Sequence, residues 1–333
     1  MAVIKTGESI AFLGDSSTAG GGNHGGYCRL VVHGLKTKGI RVNGIYAGIP
    51  GNKSSDMLLR LDSILQRKPD HLFLSVGVND VWHTDPTARI GVYKPSPGMG
   101  VKFDHYKVYV PQILDRCKAA GTKVIMSTFT QITEDPEFRL NKKAKTYNDF
   151  LRSLAKERNL PIALLNEAAF AKIAELKAKG GTDRKHNMIS SDGIHPTAIG
   201  HQTMALGILK AMGFGEQDLV TAEKEWNTCS KLLILGDRQV TSGGRSGGWR
   251  SMLLDAFNSK REMVVAQPIA AKTTTLAKLQ KELANAIDDK RARYLLLVPP
   301  MADIQDQTPL ADYKTAVESL IATAQSGKLK SVM

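Results

Sequence analysis

Three side chains in this sequence have the types and surroundings needed for acyl transfer: Ser16, Asp192 and His195. Ser16 closes a short apolar run, Ile10-Ala-Phe-Leu-Gly-Asp-Ser16. Asp192 and His195 stand three residues apart in Asp192-Gly-Ile-His195, just ahead of Pro196 and an apolar helical pattern. A serine hydroxyl is a weak nucleophile and needs an adjacent base. The His195 imidazole would take the Ser16 proton and return it to the leaving oxygen, while Asp192 would hold the ring in one tautomer and stabilise the imidazolium. Each group alone has a plainer reading: Ser16 as a turn or phosphate-loop serine, Asp192 as a helix cap beside a surface histidine.

The elements that must position these groups follow from the hydrophobic pattern. Short apolar runs alternate with longer helical patterns, which points to a parallel sheet with helices on both faces. Strands are predicted at 9–13, 41–46, 71–76, 123–128 and 161–164. Helices are predicted near 26–37, 54–66, 104–120, 141–158, 167–178 and 197–212. In such sheets ligands bind beyond the C-terminal ends of the strands. Ser16, Gly51 and Asn79 all fall just after predicted strands, so one sheet edge would collect them. The segment 83–103 holds Pro86, Pro95, Pro97, Gly98 and Gly100 with little periodicity. It is expected as a loop, and its place after Asn79 makes it a candidate to overhang the site.

Four separated blocks carry a resemblance. They are Gly14-Asp15-Ser16, the Gly51 of Gly48-Ile-Pro-Gly51-Asn-Lys, the Asn79 of Gly77-Val-Asn79-Asp80, and Asp192-Gly-Ile-His195. In identity, order and approximate spacing they closely resemble the SGNH (GDSL-type) hydrolase superfamily, over residues 8–213. The resemblance implies a three-layer α/β/α sandwich with a flavodoxin-like sheet, and carboxylic ester hydrolysis through an acyl-serine. It assigns the oxyanion hole to the backbone N–H of Ser16, the backbone N–H of Gly51 and the side-chain amide of Asn79. Glycine would keep a side chain away from the reacting carbonyl, and the asparagine amide donates without charge. Asn79-Asp-Val-Trp82-His83, together with Gly51-Asn-Lys53, resembles a carbohydrate-esterase subgroup. Asp15, Lys53, Trp82 and His83 are therefore candidates to line the substrate cleft, although an aromatic such as Trp82 is as readily a packed core neighbour. The implied substrate is a short, acetyl-type ester on a small molecule or polysaccharide. The alternative is a lipid-directed or general esterase of lysophospholipase or thioesterase type.

The second half holds an internal repeat. Lys231-Leu-Leu-Ile-Leu-Gly-Asp-Arg238 reads against Ile10–Ser16, Ala266-Gln-Pro-Ile-Ala270 against Ala47-Gly-Ile-Pro-Gly51, and Arg293–Val298 against His71–Val76. Arg238 then stands for Ser16, Ala270 for Gly51, and Met301 or Ala302 for Asn79. The expected organisation is a hydrolase domain at 1–215, a linker at 216–230, and a degenerate, incomplete α/β unit of the same type at 231–333. Such a copy would not catalyse. It would pack against its parent or bind a glycan, with Arg238, Arg245 and Arg250 as possible anion contacts.

Composition narrows the remaining classes. With 42% hydrophobic and 23% charged residues the 333-residue chain reads as globular, and no apolar run approaches a membrane span. Net charge is +13. Residues 1–219 contribute +9 (29 basic, 20 acidic) and residues 220–333 contribute +4 (16 basic, 12 acidic). The basic residues are scattered, without a Lys/Arg run or aromatic interleaving, so nucleic acid is not the expected partner. An anionic sugar polymer fits the charge more readily. The cysteines Cys28, Cys117 and Cys229 and the remaining histidines lack ligand spacing, so neither metal nor cofactor is expected. The stretch Met1-Ala-Val-Ile-Lys-Thr-Gly lacks the apolar core of a secretory signal, leaving a cytoplasmic protein or one whose signal was removed. Gly244-Arg-Ser246-Gly-Gly248 fits a nucleophile-elbow motif. It lies eleven residues beyond Leu235, the end of its predicted strand, so it is read as a coincidence of composition.

Overall fold

The computed structural model describes residues 4–90, 93–96, 98–180, 188–236, 240, 253–254, 264–270, 275–288, 291–327, 329 and 331–332. The chain divides into two compact units, Met1–Glu223 and Lys224–Met333.

The first unit is built on strands β1 (Ser9–Gly14), β2 (Asn43–Gly48), β3 (His71–Leu74), β4 (Lys123–Ser127) and β5 (Ile162–Ala163). All pair in parallel, in the order β2-β1-β3-β4-β5. Its helices are α1 (Ser16–Gly21), α2 (Tyr27–Thr37), α3 (Ser54–Leu65), α4 (Val78–Trp82), α5 (Phe103–Ala119), α6 (Arg139–Glu157), α7 (Leu165–Ala178) and α8 (Ala198–Ala211). A sheet covered on both faces needs strands that are apolar on both sides. In β1, Ile10 through Leu13 are all fully buried. Ala11, Leu13, Leu72 and Leu74 face a core shared with Met57, Leu61, Ile113 and Leu151 of α3, α5 and α6. Phe12 and Phe73 face the other way, against Tyr27 of α2, with ring centroids 6.4 and 6.0 Å away. On that side α2 packs on α8, and α8 on α7. The result is a three-layer α/β/α unit with the flavodoxin-type strand order.

Among the first unit's helices named above, α1 and α4 lie outside the predicted helical stretches. Both are short, and both begin within four residues of a strand's C-terminal end. The stretch 216–230, expected as a linker, is instead helical from Glu216 to Thr228 as α9, and the division between the units falls inside this helix. An amphipathic run with Glu216 and Asp218 in its first turn suits a helix start.

The second unit holds β6 (Ser230–Gly236), β7 (Val264–Ala270), β8 (Ala292–Leu297) and β9 (Ser331–Val332), parallel in the order β7-β6-β8-β9. With them are α10 (Leu276–Ile287), α11 (Met301–Gln305) and α12 (Leu310–Ser326). Leu276, Leu279 and Leu283 of α10 share a core with Leu233, Leu295 and Leu320. Strand register decides how the two units correspond. Gly14 pairs with Gly48 as Gly236 pairs with Ala270, so Ala270 stands for Gly48 and not for Gly51. The counterpart of Gly51 then falls at 271–274, outside the described residues. Leu13 pairs with Leu74 as Leu235 pairs with Leu297, which sets Ala302 in the place of Asn79. A buried aspartate recurs at the next position. Asp80 accepts from the N–H of Ser54, the first residue of α3, at 3.0 Å, and Asp303 accepts from the N–H of Leu276, the first residue of α10, also at 3.0 Å.

Candidate active site

Ser16 is the first residue of α1, directly after β1 and Asp15. The Asp15 carboxylate accepts from the Ser17 N–H at 2.9 Å and so starts the helix. The turn is tight enough to require glycines. A Cβ at Gly14 would lie 2.0 Å from Thr18 Oγ1, and one at Gly48 would lie 2.1 Å from Ala19 N. Only without those atoms can α1 lie against the strand ends.

The loop of residues 190–196 brings up the other two groups. Ser190 and Pro196 bridge its base, and the Ser191 N–H donates to the His195 carbonyl at 2.8 Å. Asp192 Oδ1 accepts from the N–H groups of Ile194 and His195, each at 2.9 Å. Its Oδ2 lies 2.6 Å from His195 Nδ1, and His195 Nε2 lies 2.9 Å from Ser16 Oγ. An Nδ1–H donating to the carboxylate leaves Nε2 as acceptor for the Ser16 O–H. Burial works against the charge of Asp192, but the imidazole and the two backbone donors hold its carboxyl at about 2. The same bond to Asp192 raises His195 above the ordinary imidazole value, against burial, with the charges of Asp192 and Asp15 adding to it. Asp15 itself is buried, which pushes its carboxyl up to about 6 despite the Ser17 N–H and the charge of His195.

Gly51 follows β2 and Asn79 follows β3, both on the sheet edge that carries Ser16. Gly51 has φ +78°, and a Cβ added there would meet no protein atom within 4 Å. Its glycine is therefore required within the protein by backbone conformation. The Asn79 amide donates to the Asn52 carbonyl at 3.1 Å and has a second N–H to offer. Arg60 ties this edge together. Its guanidinium donates to the Asn52 side chain at 2.6 Å, to the Gly14 carbonyl at 3.0 Å and to the Ala47 carbonyl at 2.8 Å.

The structure separates the cleft candidates. Asp15 is buried behind the turn and offers no cleft surface. The Lys53 ammonium pairs with Asp56 at 2.6 Å and is largely buried. Trp82 and His83 are 7% and 8% exposed, and their rings stack on each other with centroids 4.7 Å apart. The Trp82 indole N–H donates to the Ala88 carbonyl at 2.8 Å, and His83 Nδ1 accepts from the Ser96 N–H at 2.9 Å. Burial and the charge of Lys53 push the His83 imidazole down, favouring this neutral acceptor form. These two rings therefore fasten the 83–103 loop and are not an open platform. The exposed ring is Tyr93, which sequence reasoning missed. It is 48% exposed, and its ring lies edge-on to His195 with centroids 5.6 Å apart. Reciprocal hydrogen bonds between Ile90 and Tyr93, at 3.1 and 3.0 Å, present it. As the one tyrosine in a Pro/Gly-rich loop beside the asparagine block, it could have been found by composition.

Ser246, Arg238, Arg245 and Arg250 lie outside the described residues. Among the described residues no group of three or more His, Cys, Asp or Glu side chains could hold a metal ion, and no helix is long and apolar enough to cross a membrane. The three cysteines are free and buried, and burial pushes their thiols up, Cys117 to about 12.

Comparison with known proteins bears on this arrangement. Residues 12–203 match the family described as GDSL-like lipase/acylhydrolase. An acetylxylan esterase of Geobacillus stearothermophilus is 26% identical over 227 residues, covering 63% of this chain and 96% of that protein. The crystal structure of the acetyl xylan esterase AlAXEase is similar with a TM-score of 0.54 and 28% identity, covering 61% of this chain and 98% of that one. LAE5, an alpha/beta hydrolase enzyme from the metagenome of Lake Arreo, Spain, shares the fold with a TM-score of 0.54 and 21% identity, over 64% of this chain and 98% of that one.

Proposed function

The chain belongs to the GDSL-like lipase/acylhydrolase family, and on that footing we propose that this serine carboxylic ester hydrolase removes acetyl groups from a carbohydrate, with Ser16 as nucleophile. The observation that carries the reading is the unbroken chain Ser16 Oγ–His195 Nε2, His195 Nδ1–Asp192 Oδ2, at 2.9 and 2.6 Å. His195 takes the Ser16 proton as Oγ attacks the ester carbonyl, and Asp192 stabilises the imidazolium that forms. The tetrahedral oxyanion is held by the N–H groups of Ser16 and Gly51 and the Asn79 amide. Donors fixed in advance supply most of the stabilisation in such sites. His195 then gives that proton to the leaving sugar oxygen, which departs as a hydroxyl; water, deprotonated by His195 in turn, attacks the acyl-serine, and acetate leaves as His195 returns the proton to Ser16 Oγ.

The substrate class rests on two supports. The similar proteins include two acetylxylan esterases, and the exposed Tyr93 ring beside His195 offers an aromatic face of the kind on which sugar rings stack. The test is a series of p-nitrophenyl esters from acetyl to octanoyl, run beside acetate release from acetylated xylo-oligosaccharides, with Ser16→Ala as control. Acetyl esters should turn over fastest and Ser16→Ala should be inactive on every substrate. Faster turnover of octanoyl esters would replace the carbohydrate reading with the lipid-directed one.

A further inference from the structure

We propose that Glu134 is a positioning residue for catalysis, holding the Asp192–His195 loop in register with Ser16. This rests on the reading of Ser16, Asp192 and His195 as the triad. Glu134 is 3% exposed. Its Oε1 accepts from the Ile189 N–H at 3.0 Å, the Ser190 N–H at 2.8 Å and the Ser190 hydroxyl at 2.7 Å. All of these donors lie two or three residues before Asp192. No cation among the described residues pairs with Glu134.

The neighbouring residue adds a second tie. The Thr133 N–H donates to the Gly193 carbonyl at 2.8 Å, between Asp192 and His195. Thr133 has φ +66°, a conformation that a β-branched residue adopts only under constraint. The constraint is visible: Asn141 of α6 accepts from the Ile132 N–H at 2.8 Å and donates to the carbonyls of Thr133 and Asp135 at 3.2 and 2.6 Å. Gly193 in turn has φ +109°, and a Cβ there would meet Thr133 Cα at 3.2 Å.

The consequence concerns the reference frame of His195. The bonds of Asp192 to Ile194 and His195, and of Ser191 to His195, are all internal to the loop. They fix its shape but not its distance from Ser16. Glu134 and Thr133, on the segment after β4, fix that distance. A misplacement of about 1 Å between reacting groups can cost on the order of 100-fold in rate.

Glu134→Ala is therefore expected to lower kcat on the order of 100-fold with KM nearly unchanged, measured well below the variant's melting temperature. The far-downfield proton resonance of His195 Nδ1–H should broaden or disappear. Glu134→Gln keeps a side-chain oxygen for the same three donors and should restore both kcat and the resonance. If Glu134→Ala does not fold, Ser190→Ala, which removes one of the three donors, should lower kcat by about fivefold. A folded Glu134→Ala enzyme with wild-type kcat overturns the proposal, as does an unchanged kcat in Ser190→Ala. Ser16→Ala separates the two levels: if it is inactive while Glu134→Ala is normal, only this inference fails. If Ser16→Ala is active, the triad reading fails first.

Discussion

The His195 imidazole lies between an alcohol and an acid, and in the proposed mechanism its protonation state decides whether Ser16 can act as nucleophile. Asp192 raises the imidazole above its ordinary value of 6.5, and the charge of Asp15 adds to this. Since His195 must be neutral at Nε2 to accept a proton, kcat/KM should fall as pH drops through that raised value. Asp192→Asn removes the charge that favours the imidazolium. The acid limb should then move to lower pH, while kcat falls by about 10³-fold or more because the tautomer is no longer enforced. The check is a pH profile of both enzymes on p-nitrophenyl acetate, and an unmoved acid limb would deny Asp192 this role.

At the scale of elements, the site is an edge where strands end and short helices begin. α1 is seated by Asp15 and by the absence of Cβ atoms at Gly14 and Gly48. α3 and α4 are joined by Asp80, which accepts from the Ser54 N–H and hydroxyl. Burial raises the Asp80 carboxyl from its ordinary 3.8 to about 7, against the bonds from Ser54. Between those two values the folded chain holds a proton that the unfolded chain has released, so stability falls as pH rises through this window. Asp15 contributes in the same direction up to about 6. Asp80→Asn retains an acceptor oxygen and cannot ionise, so it should flatten this decline. Urea midpoints at the two ends of the window, for both proteins, measure it. A slope unchanged by the substitution would mean that Asp80 stays ionised throughout.

Across the whole molecule, one sheet plan is used twice with different chemistry. The order β7-β6-β8-β9 repeats β2-β1-β3-β4, and Asp303 repeats Asp80 at the start of the following helix. What recurs is the structural aspartate. Asn79, the proposed oxyanion donor, does not recur, since Ala302 offers no side-chain donor in its place. We propose that the second unit is a degenerate copy that hydrolyses no ester. A fluorophosphonate probe should therefore label the full chain at Ser16, and Ser16→Ala should take up no label. Labelling of any serine beyond Lys224 would show a second nucleophile.

Much of this protein was legible without coordinates, for local reasons. Asp192 and His195 are three residues apart and bond within their own loop, so their pairing is written in the spacing. The buried strands are continuous apolar runs, and α2, α3, α5 and α6 are long enough to show a helical period. α1 and α4 are too short for periodicity and exist because tertiary neighbours seat them. The repeat read as a string sets Ala270 against Gly51, and only its pairing with Gly236 moves it to the place of Gly48. Trp82 and His83 had the right types for a sugar platform, but burial is a property of the packed loop, which hid them and left Tyr93 outside. Arg60 and Glu134 left no mark in sequence because a partner of each, Gly14 and Ser190, lies 46 and 56 residues away. Sequence determines the reacting groups where a short stretch contains both partners. Only the tertiary structure decides which distant carboxylate or guanidinium holds them at reacting distance, because chain separation carries no information about separation in space.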